Sequence, residues 1–140
     1  MSLICPNISV ISQYTEQIDN NIFKTMKRYL PGPYTFILKS NKYVQKFFKN
    51  NKEEIGVRIP KSEILDALQE FLEAPLISTS LNTHNGVQNY FTDPDEIESV
   101  FQHTVDMLLD GGIGDNAEST VLDCTGEEIE LIREGKGQVD

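Results

Sequence analysis

The hydrophobic positions of this chain fall into two spacings that trade places along its length, one helical and one strictly alternating. Residues 2–5 (SLIC) form a short strand candidate, and 6–15 (PNISVISQYT) open with turn residues before a short helix. Asp19 stands as the cap of a helix whose apolar positions Ile22, Phe23, Met26 and Leu30 recur at helical spacing, and that helix stops at Pro31, Gly32 and Pro33. The aromatic and β-branched run 34–39 (YTFILK) leaves this rigid turn as a strand. Tyr43, Val44, Phe47 and Phe48 mark a short amphipathic helix. In 55–60 (IGVRIP) alternation sets Ile55, Val57 and Ile59 on one face of a strand and Gly56 and Arg58 on the other.

Ser62 opens a further helix, predicted to be buried through Ile64, Leu65, Leu68, Phe71 and Leu72. Asp93, Pro94 and Glu96 resemble a capping box ahead of a helix through Ile97, Val100 and Phe101. Residues 105–112 (VDMLLDGG) and 119–123 (STVLD) read as two more strands, and 128–137 (EIELIREGKG) close with Gly135 and Gly137 around Lys136. Mixed helix and strand patterns without a repeat, linker or low-complexity run predict an α/β fold. At 140 residues, 39% of them hydrophobic, one core and one domain are expected.

Composition narrows the setting. No run approaches the about 20 apolar residues that span a bilayer, and no basic leader precedes an apolar one, so a cytoplasmic protein without a membrane is expected. Cys5 and Cys124 are far apart and form no metal-type pair, so both are expected as reduced thiols. Up to Pro60, nine Lys/Arg face four Asp/Glu, a balance of +5; the remainder carries −15. A basic face for an anionic partner is one reading, and the wet side of a helix carrying Lys42, Lys46 and Lys49 is the other.

Chemistry is concentrated in 75–86 (PLISTSLNTHNG), a strand end that gives way to Ser78, Thr79, Ser80 and Asn82 without one charged residue. Open α/β sheets bind ligands at such strand ends. Ser78 and Ser80, two apart, are expected on one strand face. Arg58, beside a glycine on the side of its strand away from the aliphatic residues, is well placed for an anion. Each has a plainer alternative: hydroxyls that close a turn, a surface ion pair for Arg58, a solvent-facing Ser119, and an Arg133 paired with Glu130 or Glu134. His84 and His103 are expected to be a loop and a helix-face residue without a catalytic role, and 110–115 (DGGIGD) a turn rather than a phosphate loop.

Three segments, LPGPYTFILK, GVRIP followed by a helix and PLISTSLN, and STVLDCTGEEIELIREGKG, together resemble the YrdC-like family, the threonylcarbamoyl-adenylate synthases and their relatives. The resemblance runs in order through essentially the whole chain. The tyrosine of PGPYTFILK and the leucine of STSLN make it most similar to the YciO branch. The resemblance implies a twisted open mixed sheet with helices on its faces, related to the dihydroxybutanone-phosphate-synthase-type fold. It implies a nucleotidyltransferase that takes ATP with Mg²⁺, L-threonine and bicarbonate to threonylcarbamoyl-AMP and pyrophosphate, for tRNA modification. By resemblance Arg58, Ser78 and Ser119 bind threonine, and Ser80, Asn82 and Arg133 bind the nucleotide. No side chain is assigned to catalysis or to a metal.

Family members also carry, ahead of the part matching SLIC, a PTDT-like strand turn and a basic K-x-R motif. On this comparison residues 1–140 form a single domain incomplete at the N-terminus, lacking the first elements. Impaired synthesis and self-association through an exposed sheet edge are expected from that. The competing function is a noncatalytic module for double-stranded RNA or tRNA, supported by the basic first half and opposed by the acidic remainder. Carbamoyl-adenylate chemistry of the hydrogenase-maturation kind lacks its accompanying zinc motifs here.

Overall fold

The computed structural model describes residues 1–48, 53–82 and 90–140. Lys49, Lys52, His84 and the 83–86 part of the hydroxyl-rich run lie outside the described residues, as do the side chains of Phe47 and Phe48. Two units are distinguished, Met1–Ser78 with Glu118–Asp140, and Thr79–Ala117.

The first unit is built on a mixed six-stranded sheet. Its strands are β1 (Ser2–Ile4), β2 (Tyr34–Lys39), β3 (Glu54–Arg58), β4 (Leu76–Ser78), β5 (Thr120–Asp123) and β6 (Glu130–Arg133), in the order β4-β1-β3-β2-β5-β6. β1 runs parallel to β3, and β2 parallel to β5; the other pairings are antiparallel. Register places Leu3 beside Val57, Val57 beside Phe36, and Phe36 beside Leu122. These four side chains are buried and form one row of the hydrophobic core. Helices α1 (Ile8–Ile11) and α2 (Asn20–Tyr29) contribute Ile11 and Met26 to the same cluster.

Local sequence explains where these helices begin. Asn7 accepts from the Val10 N–H at 2.9 Å, and Asp19 from the Ile22 N–H at 2.9 Å, so each side chain satisfies one of the donors a helix start leaves free. Helices α3 (Lys42–Phe48) and α4 (Glu63–Gln69) follow, α4 capped by Ser62, whose Oγ accepts from the Leu65 N–H at 3.2 Å.

After β6 the chain turns back over the start of β5. A Cβ at Gly135 would overlap the carbonyl oxygen of Glu118, and one at Gly137 would overlap the Tyr34 ring. Only residues without a side chain permit so close an approach. Thr120, fully buried, accepts from the Gly135 N–H at 3.0 Å and donates to the Gly137 carbonyl. The last residue, Asp140, meets Arg28 and Tyr29 of α2.

Two expectations need correction here. α4 ends at Gln69 and buries none of its residues; Ile64 and Leu72 are exposed, and Phe71, beyond the helix, is 85% exposed. Its apolar spacing is that of an amphipathic helix, but spacing does not reveal whether a partner surface exists. Strand β4 ends at Ser78, so the alternation along it does not extend to Ser80.

The second unit carries α5 (Pro94–Phe101), with Pro94 at its first turn and Asp93 as cap. The Asp93 side chain accepts from the Asp95 N–H at 3.0 Å. Phe91 packs edge-on against Phe101, with ring centroids 5.7 Å apart. The expected strand at 105–112 is irregular chain. Asp110 accepts from the Gly112 N–H at 2.8 Å, and Gly112 has a φ of 87°, so a local side-chain turn competes with a ladder. No helix among the described residues is long and apolar enough to cross a membrane.

Candidate functional site

A sheet has two faces, and the core uses one. The other is fixed by the same register: Ser78 lies beside Ser2, Ser2 beside Gly56, and Gly56 beside Ile37. In the next row Leu76 lies beside Ile4 and Ile4 beside Arg58; on β2, Thr35 neighbours Val121, itself beside Arg133. A Cβ built on Gly56 would sit 3.3 Å from Ser2 Cβ and 3.4 Å from Thr35 Cγ2, so these side chains project on one side of the sheet. The missing side chain at Gly56 leaves a shallow floor between them.

Two hydroxyl pairs flank this floor. Ser2 Oγ and Ser78 Oγ are 3.0 Å apart, and the Ser78 hydroxyl is also 3.2 Å from the Ser2 carbonyl. On the other side Thr35 Oγ1 and Ser119 Oγ are 2.8 Å apart. The Ser119 hydroxyl also accepts from Arg133, while those of Ser2, Ser78 and Thr35 keep acceptor capacity beyond these bonds.

Between the pairs lies Arg58, at the carboxyl end of β3. Its Nε is buried and has no hydrogen-bond partner, and no carboxylate among the described residues ion-pairs with it. Burial, and after it the charge of Arg133, push its pKa below the ordinary guanidinium value. A guanidinium does not respond by giving up its proton in practice, so the charge stays and the donor remains unsatisfied.

Arg133 is held differently. Its Nε and Nη2 donate to the Ser119 carbonyl at 3.0 and 2.8 Å, and Nη2 donates to Ser119 Oγ at 3.2 Å. Its ion-pair partner is Glu118, with Nε 3.1 Å from Oε2, rather than Glu130 or Glu134 as sequence proximity suggests. The β5–β6 pairing shifts register between Val121 and Leu122 and sets Arg133 beside Val121, three residues after Glu118.

Of the six residues singled out in the sequence, Arg58, Ser78, Ser119 and Arg133 therefore belong to the first unit and share the side of the sheet away from the core. Ser80 and Asn82 belong to the second unit, where both are exposed and Asn82 forms an isolated bridge with Tyr90. Ser2 and Thr35 escaped the sequence reading. Thr35 occupies an outward position of an alternating strand next to a strand bearing Arg58, and that pattern was the available signal. Among the described residues no group of three or more His, Cys, Asp or Glu gathers as a metal site.

A cavity of about 1140 Å³ is lined by Pro6, Asn7, Phe23, Lys27, Ile59 and Lys61 among others. It contains none of the six candidate residues.

A family model described as Sua5_yciO_yrdC (Telomere recombination) matches residues 1–135. The chain is 37% identical over 139 residues to YciO of Escherichia coli strain K12, an alignment covering 99% of this chain and 66% of that protein. It is similar to the crystal structure of E. coli YciO, with a TM-score of 0.88 over 98% of this chain and 66% of that one, at 37% identity. It is similar also to the crystal structure of P. abyssi Sua5 complexed with L-threonine, with a TM-score of 0.81 at 26% identity over 96% of this chain and 40% of that one. The chain thus spans 66% of the length of the curated YciO relatives it matches.

Proposed function

The chain belongs to the Sua5/YciO/YrdC family, and from that premise we propose that it is a threonylcarbamoyl-adenylate synthase-like domain whose sheet face receives the carboxylate of L-threonine at Arg58. The observation that carries this reading is the buried, unpartnered Nε of Arg58. A carboxylate supplies the two oxygens that a guanidinium fork takes up in parallel, and it offsets a charge that the protein leaves unbalanced. The Thr35–Ser119 and Ser2–Ser78 pairs offer hydroxyls to the amino acid's own polar groups. The L-threonine complex of P. abyssi Sua5 supports the choice of amino acid.

The reaction proposed joins the threonine amine to bicarbonate as a carbamate with loss of water. A carbamate oxygen then attacks the α-phosphorus of ATP, and pyrophosphate leaves. Such chemistry depends on charge placement and orientation more than on a side-chain base. Arg133 is the residue of the first unit assigned to phosphate, and Ser80 and Asn82 are assigned to the nucleotide by family resemblance. Mg²⁺ enters with ATP, held by phosphate oxygens and water, a mode that requires few protein carboxylates. The setting is cytoplasmic, where ATP and tRNA occur.

Isothermal titration tests this. L-Threonine is expected to give saturable heat with the wild-type chain and none with Arg58→Ala, and ATP with Mg²⁺ is expected to lose affinity in Ser80→Ala. No threonine heat at millimolar concentrations, together with salt-sensitive binding of a short RNA duplex, would overturn the proposal in favour of the RNA module.

A further inference from the structure

The direction of the Arg133 guanidinium is set by the two residues just ahead of β5, since Glu118 pairs with it and Ser119 accepts from it at both the carbonyl and the hydroxyl. Those two residues are held in turn by the chain that returns after β6. The Lys136 N–H donates to the Glu118 carbonyl at 2.8 Å, the Gly135 N–H donates to Thr120 Oγ1 at 3.0 Å, and that hydroxyl donates to the Gly137 carbonyl. Farther along, Tyr34 Oη donates to the Gln138 carbonyl at 2.7 Å and Tyr29 Oη to Asp140 at 2.8 Å. Thr120 is fully buried, so water cannot replace either bond of its hydroxyl.

We infer that Thr120 is a positioning residue for the anion face: its hydroxyl ties residues 135–137 against 118–119, and so fixes the aim of Arg133 and of the Ser119 hydroxyl without itself meeting a ligand. The alternation of the chain divides the two tasks between neighbours. Thr120 pairs in register with Tyr34, a core residue, while Ser119 meets Thr35, whose side chain lies on the other face. A guanidinium on a loosened backbone keeps its charge but loses the fixed plane that lets its donors bind two oxygens in parallel, and each ligand then has to order it anew. The consequence for ligand rests on the proposed assignment of Arg133 to phosphate; the consequence for Arg133 itself does not.

The test compares Thr120→Val, which keeps shape and deletes both hydroxyl bonds, with Thr120→Ser, which keeps them. In ¹H–¹⁵N spectra of the arginine side chains, with the Arg133 signal identified by its loss in Arg133→Lys, exchange of the Arg133 Nε–H with water is expected to quicken roughly three- to tenfold in Thr120→Val and to stay within about twofold of wild type in Thr120→Ser. ATP with Mg²⁺, titrated calorimetrically, is expected to bind roughly three- to tenfold more weakly to the valine variant and normally to the serine variant. Unchanged exchange in a folded Thr120→Val overturns the inference, as does quickened exchange with unaltered ATP affinity. So does a Thr120→Ser as impaired as Thr120→Val, because that reports lost packing and not lost hydroxyl bonds. A wild type that takes no ATP defeats the reading underneath, and the exchange rates then decide this inference by themselves. Should Thr120→Val fail to fold, Tyr34→Phe, which keeps the ring and deletes the bond to the Gln138 carbonyl, is expected to quicken the same exchange about two- to fourfold, and no change overturns the inference.

Discussion

Replacing Arg58 by methionine should make the unliganded protein more stable. Methionine keeps the unbranched apolar stem and deletes the guanidinium. That group's Nε is buried without a partner, and Arg133 adds repulsion. A buried unsatisfied donor costs about 1–3 kcal/mol, and partial exposure of the rest of the group argues for the lower part of that range, about 1–2 kcal/mol. The sign follows from the pKa. A base whose folded pKa is depressed holds its proton more weakly folded than unfolded, so it opposes folding at all pH values below the folded pKa, which for arginine means the whole working range. For a chain of this size the gain corresponds to a rise in Tm of roughly 3–8 °C. Thermal unfolding followed by circular dichroism at neutral pH, without ligand, reads it directly. A fall in Tm would show that Arg58 is structurally satisfied and would remove the main argument for an anion site at this position.

Other expectations follow from single features. Phe36 is fully buried in the centre of the sheet, so Phe36→Ala should cost about 3–5 kcal/mol in urea unfolding, and a cost under about 1 kcal/mol would mean the core is not where the register places it. Burial pushes both Cys5 and Cys124 up to about 12. Native protein at pH 8 should therefore resist a thiol reagent that labels both after unfolding, and rapid native labelling would contradict this. Because both folded pKa values are raised, the thiols favour folding below the ordinary value of 9.0, and stability should decline as pH rises from there toward 12. Thr35→Val removes the hydroxyl 2.8 Å from Ser119 Oγ while keeping shape, so threonine affinity should fall about three- to tenfold with Tm nearly unchanged; unaltered affinity would exclude Thr35 from the site.

Much of this was readable from residue order, and the boundary between what was and was not is physical. Strand β3 announced Arg58 because a period of two assigns faces without knowledge of any neighbour. Helix starts at Asp19, Ser62 and Asp93 are local chemistry, satisfied within three residues. The Arg133–Glu118 pair was not readable, because it is the pairing of β5 with β6 that brings the two residues together, and the acids Glu130 and Glu134 lie nearer along the chain. Likewise the helix at Ser62 was recognisable, but not the exposure of Phe71, since periodicity describes a face and says nothing of what covers it. At 105–112 an apolar run mimicked a strand while Asp110 and two glycines supplied a turn that outcompeted it.

The central claim is that Arg58, left without a partner by the fold, waits for a carboxylate. Two-dimensional ¹H–¹⁵N spectra in the arginine side-chain region, with Arg58→Met identifying its Nε–H signal, follow that proton directly during titration with L-threonine. The expected result is a saturable displacement of the Arg58 Nε–H resonance at millimolar ligand or below, larger than that of any other arginine. An Arg58 signal that stays in place while threonine binds elsewhere, or does not bind, would contradict the account.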